Sequence, residues 1–554
     1  MPFTRSVYRI LPGLLLTLLL TGGLPLRAQE TTPQAGSFDV PPEIAGHEQE
    51  WPLGNHDYAN ARAAVGSSIN QSNVSQLNIA WTFELKGKAE WGGAAGNPVI
   101  ANNVVYVQDL GANTYALNFQ TGDLIWQHLY NHQIFGPSGP GIGYGKVYVC
   151  SRIDQYAALD INTGEELWTY YTGTAQPTGA FQPTAFGNQL YITTQTAPSG
   201  HGKITFDSYK PGSSGFVIVV NPDNGSLLWQ WQAVEDGFWG HPELNSGAGL
   251  WFPPAIDTHT GVSFWGTGNP SPVSGIKGYP NGSSRPGPNL YTNSLVALDH
   301  QSGQMLWYKQ VKPHDLFNLD FQVSPILASV KIDDGNRDLV IGSGKLGVVY
   351  GFDRQTGEIL WQTSVGQHQN DELSELPPGE TVWVAPGAWG GVETPMAYAD
   401  GTLYVLTANL PSPYNATSFD AETPMEALNR SEGGTILANG TAELLAINAS
   451  SGEILWDTKI DEVAFGGVTV VNDLVFTATL RGMIMAFSRN DGKLVWQYQA
   501  PGGTNAWPAV TGDTIVWPIG LGDKPQVIAL RLGGQGAAPT PEQQRTPVMT
   551  PQHG

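Results

Sequence analysis

The chain of 554 residues has a single cysteine, Cys150, so it can form no internal disulfide and contains no CxxCH haem-attachment motif. Its setting in the strand-like KVYVCS reads as a buried, inert thiol. HExxH is also missing, which leaves a zinc protease unsupported. Charge is scarce at 13% of residues, and it is lopsided: 26 basic against 48 acidic side chains give a formal charge of −22. Such a surface repels phosphate backbones, so nucleic acid is excluded as a partner. Long apolar runs are absent too. The longest, around Leu11 to Leu20, holds about 10 to 12 apolar residues, too few for the ~20 of a membrane span. It follows Arg5 and Arg9 and precedes the small-residue exit Leu26-Arg27-Ala28, the pattern of a secretory signal over residues 1–28. With no cysteine near that exit to carry a lipid, a freely soluble periplasmic or secreted protein is expected.

What the chain has in quantity is glycine (68), proline (40) and tryptophan (18), a composition suited to many short strands joined by turns. One unit recurs: AALDINTGEELW (ending Trp168), YALNFQTGDLIW (Trp126), IVVNPDNGSLLW (Trp229), VALDHQSGQMLW (Trp307), YGFDRQTGEILW (Trp361), LAINASSGEILW (Trp456) and MAFSRNDGKLVW (Trp496). Each copy reads as strand, tight turn, strand. Asp or Asn (Ser488 in the last copy) opens the turn, Gly supplies its positive φ, and Trp always stands four positions after that Gly. Trp81 has no turn before it, and the last apolar strand, Gln526 to Leu532, has no Trp after it. Paired, these two halves make an eighth unit. A hairpin repeat cannot bury its apolar face alone, so the expected fold is all-β, an eight-bladed β-propeller closed by pairing of the N- and C-terminal strands. The expected divisions are the signal (1–28), a loose Pro- and Glu-rich leader (29–54), the propeller (55–532) and a disordered tail (533–554). Intervals between successive tryptophans are longest before Trp229, Trp307 and Trp456, so binding loops are expected in the middle of the chain.

The repeat, with Ala on one strand and Trp on the next, resembles the tryptophan-docking motif of the quinoprotein alcohol dehydrogenase family, whose members carry pyrroloquinoline quinone (PQQ) on the axis of an eight-bladed propeller. GTGNPSP (Gly266 to Pro272), NLYTNS (Asn289 to Ser294) and the PHD element (Pro313 to Asp315) are specific to that resemblance, which covers nearly the whole chain from Asn73 to the last strand. It implies Trp251 as the floor for the quinone ring, Asn269 as a ligand of a Ca²⁺ or lanthanide ion, and Lys345 over the quinone's carbonyl edge. Asn318 stands where the family has a catalytic Asp, and an amide cannot accept a proton as a carboxylate base would. Asp320, two positions on, matches the extra carboxylate of the lanthanide-type enzymes; an extended segment would turn both side chains to one side. Glu393 is the nearest replacement carboxylate. The resemblance thus implies Asp320, Asn318 and Lys345 for catalysis, Trp251, Lys345 and Glu393 for the cofactor, and Asn269 and Asp320 for the metal.

Other departures fall on the same pocket. The family's main metal-binding Glu has no counterpart, Lys210 being nearest; its vicinal cysteine pair is replaced by the Gly/Pro-rich stretch Phe135 to Gly145; and Ala95 stands for an acidic residue. Two functions follow. One is an exported PQQ-dependent dehydrogenase acting on an alcohol, aldehyde or sugar and passing electrons to an external acceptor. The other is a propeller without the redox site, working as a binding or assembly scaffold.

Overall fold

The structure, a computed structural model, describes residues 38–89, 91–173, 181–194, 214–235, 237–276, 278–332, 335–415 and 439–535; the expected signal, nearly all of the expected tail and Lys210 lie outside them. Eight sheets built on four antiparallel strands follow one another along the chain, and in one of them Ala63–Ala64 adds a fifth strand, parallel to Thr469–Val471. The first blade is Val99–Ala101, Val104–Gln108, Thr114–Asn118 and Leu124–His128. The eighth is composite: Ala509–Thr511, Thr514–Ile519 and Gln526–Leu532 from the C-terminal end are completed by Leu77–Glu84 from the N-terminal end. Leu77 pairs with Leu532 and Glu84 with Gln526, so the two ends of the chain close the ring.

Each blade locks onto the next through its tryptophan. The indole N–H groups of Trp81, Trp126, Trp168, Trp229, Trp361 and Trp456 donate to the carbonyls of Phe119, Ile161, Pro222, His300, Ala449 and Arg489, at 2.9 to 3.0 Å. Those carbonyls belong to the hairpin turn of the following blade. The same indoles, and Trp307, lie on the turn glycines Gly122, Gly164, Gly225, Gly303, Gly357, Gly452 and Gly492. These glycines have φ between 67° and 76°, and a Cβ on any of them would stand under 3 Å from the ring. Glycine is required there twice over, by the turn and by the arriving indole. Opposite the tryptophans on the adjacent strand stand small residues, Ala116, Ala158, Ala297, Gly351, Ala446, Ala486 and Ala529, with Val219 the larger exception. They leave room for the indole to lean outward. Trp496 has no hairpin turn ahead of it, because in the eighth blade that place is where the chain ends meet. It stacks on Tyr498 instead, with centroids 6.1 Å apart and planes within 8°.

The leader expected to be loose through residue 54 is packed from residue 38 onward. Ile44, Trp51 and Leu53 are buried, and Trp51 bridges Ile100 of the first blade. Behind it Arg62 is fully enclosed and donates to the carbonyls of Gly54, Val468 and Pro508 and to Asn55 and Thr469, with its guanidinium 5.4 Å from the Trp51 ring. Burial pulls that guanidinium down to about 9. The segment is therefore a strap joining the entries of the seventh and eighth blades to the first, and apolar burial at Trp51 outweighs the polar composition around it.

Candidate functional site

The longest excursions from the bare blade lie around blades four to six, where one loop cluster is organised by buried charge. Arg285 is fully buried and donates to the carbonyls of Pro272 and Asp315 at 2.9 and 2.6 Å, and also to Val273 and the Asn289 amide oxygen. The Asp315 carboxylate, from the PHD element, accepts the N–H groups of Phe317 and Leu319 at 2.8 and 2.7 Å. It curls the chain into a turn, so the condition of an extended segment is not met. Asn318 adopts φ 59°, a left-handed conformation that Asn tolerates better than most residues. Asn318 and Asp320 nevertheless reach the same partner.

That partner is Lys345, in the short connection between strands Gly335–Gly342 and Val348–Asp353 of the fifth blade. Its Nζ lies 3.0 Å from Asp320 Oδ2, 3.2 Å from Asn318 Oδ1 and 4.5 Å from the centre of the Trp251 ring. The other Asp320 oxygen accepts the Asn269 backbone N–H at 2.6 Å, and the Asn269 amide nitrogen donates to the Pro270 carbonyl at 2.7 Å. Gln322 joins the sixth-blade entry to this group: its Oε1 accepts the Lys345 N–H at 3.3 Å and its Nε2 lies 3.4 Å from Glu393 Oε2. Glu393 Oε1 is enclosed with no hydrogen-bond partner. Trp251, Asn269, Asn318, Asp320, Lys345 and Glu393 thus form one cluster. Glycine lets the backbones converge, since a Cβ on Gly344 would collide with the Asp320 carbonyl and one on Gly391 with that of Lys345.

The electrostatics follow from burial. Lys345 and Asp320 are 2% and 0% exposed. Loss of hydration raises the Asp320 carboxyl, with Lys345 and the Asn269 N–H pulling the other way. Burial pushes Glu393 up to about 8; Lys345 lowers it and the neighbouring Asp320 adds to the rise.

A flat anionic ring fits these residues. The Lys345 ammonium lies over the Trp251 indole face, 4.5 Å from its centre, so positive charge and an aromatic surface meet at one place. A resident Ca²⁺ or lanthanide ion does not fit them. Both Asp320 oxygens are engaged, and among the described residues no three His, Cys, Asp or Glu side chains converge. Hard cations take six to eight oxygens.

Gln322 escaped the sequence reading, as did the structural work of Asp315 and Arg285; only the alternation of Asp320 with Gln322 hinted at the first. Nor did the sequence reveal three rings that meet from opposite sides of the ring of blades. Trp91, ahead of the first blade, lies 4.9 Å from Trp389, ahead of the sixth, and 6.1 Å from Phe135 in the Gly/Pro-rich stretch.

The family described as glucose/ethanol/alcohol dehydrogenase, beta-propeller domain, matches residues 182–383, and that described as outer membrane protein assembly factor BamB matches 71–237 and 376–535. Trp251, Asn269, Asn318, Asp320 and Lys345 all fall in the first match. The chain is 26% identical to the quinoprotein alcohol dehydrogenase PedH of Pseudomonas putida, over 85% of this chain and 84% of that one. It is 25% identical to the lanthanide-dependent methanol dehydrogenase of Methylorubrum extorquens, over 81% and 82%. In three dimensions it superposes on quinohemoprotein alcohol dehydrogenase from Comamonas testosteroni with a TM-score of 0.74 at 20% identity, covering 93% of this chain and 86% of that one. A europium-containing methanol dehydrogenase gives 0.69 at 17%, over 88% and 99%.

Proposed function

We propose, for a chain that belongs to the quinoprotein alcohol dehydrogenase-like family, that it is an exported oxidoreductase which uses PQQ to oxidise an alcohol, aldehyde or sugar and passes the electrons to an external acceptor. The observation that carries this reading is the Lys345 ammonium held 4.5 Å from the Trp251 ring by Asp320 and Asn318. A scaffold has no use for a buried cation aimed at a flat aromatic face. The part of the chain that matches the dehydrogenase domain is also the part that supplies this pair, whereas the assembly-factor match lies mainly in the flanking blades.

Trp251 would border the cofactor ring, with the Lys345 ammonium over its indole face. The chemistry supplied by bound PQQ is two-electron oxidation of the substrate's hydroxyl-bearing carbon. Lys345 sets a fixed positive charge where negative charge on an oxygen needs support, in a site too dry to screen it. Asn318 can hold Lys345 by its amide oxygen but cannot take a proton. Of the two carboxylates, Asp320 is occupied on both oxygens and keeps Lys345 in place. Glu393 has an enclosed, unpartnered oxygen, so the substrate's hydroxyl proton goes to Glu393 Oε1.

The test is reduction of an artificial dye by full-length protein purified from the periplasm and loaded with PQQ, against a panel of primary alcohols, aldehydes and sugars. Substrate-dependent reduction that is lost in Glu393→Gln is the expected result. No substrate-dependent reduction with any of them would remove the enzyme reading.

A further inference from the structure

We propose that Lys345 takes the place of a metal ion in this pocket, so that PQQ, or a flat polycarboxylate like it, is bound through an ammonium and loading requires no Ca²⁺ or lanthanide. The inference rests on the PQQ reading above and goes beyond it in naming what balances the cofactor's charge.

Three observations converge. First, the carboxylate that the resemblance assigns to a metal is already neutralised: Asp320 Oδ2 is 3.0 Å from Lys345 Nζ and Oδ1 is 2.6 Å from the Asn269 N–H. An ion at the 2.3 to 2.6 Å typical of Ca²⁺–oxygen bonds would share that oxygen with the ammonium, and two cations on one buried carboxylate repel strongly. Second, the ammonium is not a loose surface group. Asp320, the Asn318 amide oxygen and the Trp251 face hold it in one place, and Gln322 fixes its backbone. It therefore presents a preorganised point charge, as an ion in a fixed coordination sphere does. Third, the remaining oxygens do not make a shell. The Asn269 side chain is turned by its own bond to the Pro270 carbonyl, Glu393 stands beyond Gln322, and among the described residues no third acidic side chain joins them. In the sequence, the position where the resemblance implies the main metal carboxylate has Lys210 as its nearest counterpart.

The cofactor's binding separates the alternatives without relying on turnover. Full-length protein is stripped with EDTA, its metal content is checked by mass spectrometry, and PQQ is titrated while tryptophan emission is read. Three arms are run: chelator retained, Ca²⁺ added, La³⁺ added. The expected result is one Kd across the three arms, and a loss of at least about thirtyfold in Lys345→Met, the scale of losing a buried charge-assisted contact. Lys345→Arg should restore much of the affinity, and a cooperative thermal melt for each variant shows that the propeller has folded. Tightening by about tenfold or more when Ca²⁺ or La³⁺ is added to the wild type would overturn the proposal. So would unchanged affinity in a folded Lys345→Met. Absence of PQQ binding in every arm would instead overturn the functional reading on which the proposal depends.

Discussion

Lys345 Nζ stands 3.0 Å from Asp320 Oδ2 with both side chains closed to solvent, one on a hairpin of the fifth blade and the other on the turn that enters it. An ion pair so enclosed costs both partners their hydration, and its net effect on stability is small compared with the damage done by removing one member.

Asp320→Asn should therefore destabilise the propeller by about 3 to 5 kcal/mol, because it leaves the ammonium buried without its paired carboxylate. Adding Lys345→Met to Asp320→Asn should recover much of that loss. Urea unfolding of the two single variants and the double variant measures the coupling; additive losses would mean the two charges do not depend on each other.

Glu393 gives a signed pH dependence of stability. Its folded pKa is raised from 4.5 to about 8, so the folded protein holds this proton more tightly than the unfolded chain does. The stability associated with it is fully present below about 4.5 and is lost as pH rises through about 8. In Glu393→Gln this decline should be absent, leaving the variant less sensitive to pH than the wild type between those limits. Identical slopes in the two proteins would show that Glu393 titrates normally.

For turnover the same carboxyl predicts a rate that climbs with pH through about 8, as Glu393 loses its proton and becomes able to accept one. Glu393→Gln should lower kcat/KM by about 10² to 10⁴-fold, the usual contribution of a general base. Asn318→Ala should be mild by comparison. A dye-reduction pH profile of the two variants decides it, and a Glu393→Gln enzyme that keeps both rate and profile removes Glu393 from the chemistry.

The docking of indole on glycine can be probed where it is tightest. Gly303→Ala would place a Cβ against Trp229 at φ 67° and should cost well over the ~1 kcal/mol of left-handed strain alone. Gly512→Ala, at φ 56° with nothing within 4 Å, should cost only the strain. Equal losses by calorimetry would mean that the indole contact contributes nothing.

The ring was legible in the sequence because its determinants are local: a turn glycine and a tryptophan four positions later set both the hairpin and the contact to the next blade. The strap at 38–64 was not, since the burial of Trp51 and Arg62 is decided by Ile100, Val468 and Pro508, which lie far along the chain. In the cluster, short motifs marked Trp251, Asn269, Asn318, Asp320, Lys345 and Glu393 by resemblance. What no motif carried was their pairing. The turn at Asn318 depends on the Asp315 carboxylate collecting two backbone N–H groups, and the link from Lys345 to the sixth blade depends on the Gln322 amide.

The missing hairpin of the eighth blade makes the molecule a bracelet with a clasp. Elsewhere a covalent turn receives each indole, but where Leu77 meets Leu532 no turn joins the two strands, and the backbone ladder spans the gap, with Gly533 donating to Gln76 across it. Breathing of the circle should begin there, and amide exchange in Leu77–Glu84 should outpace that in the fourth strand of any other blade.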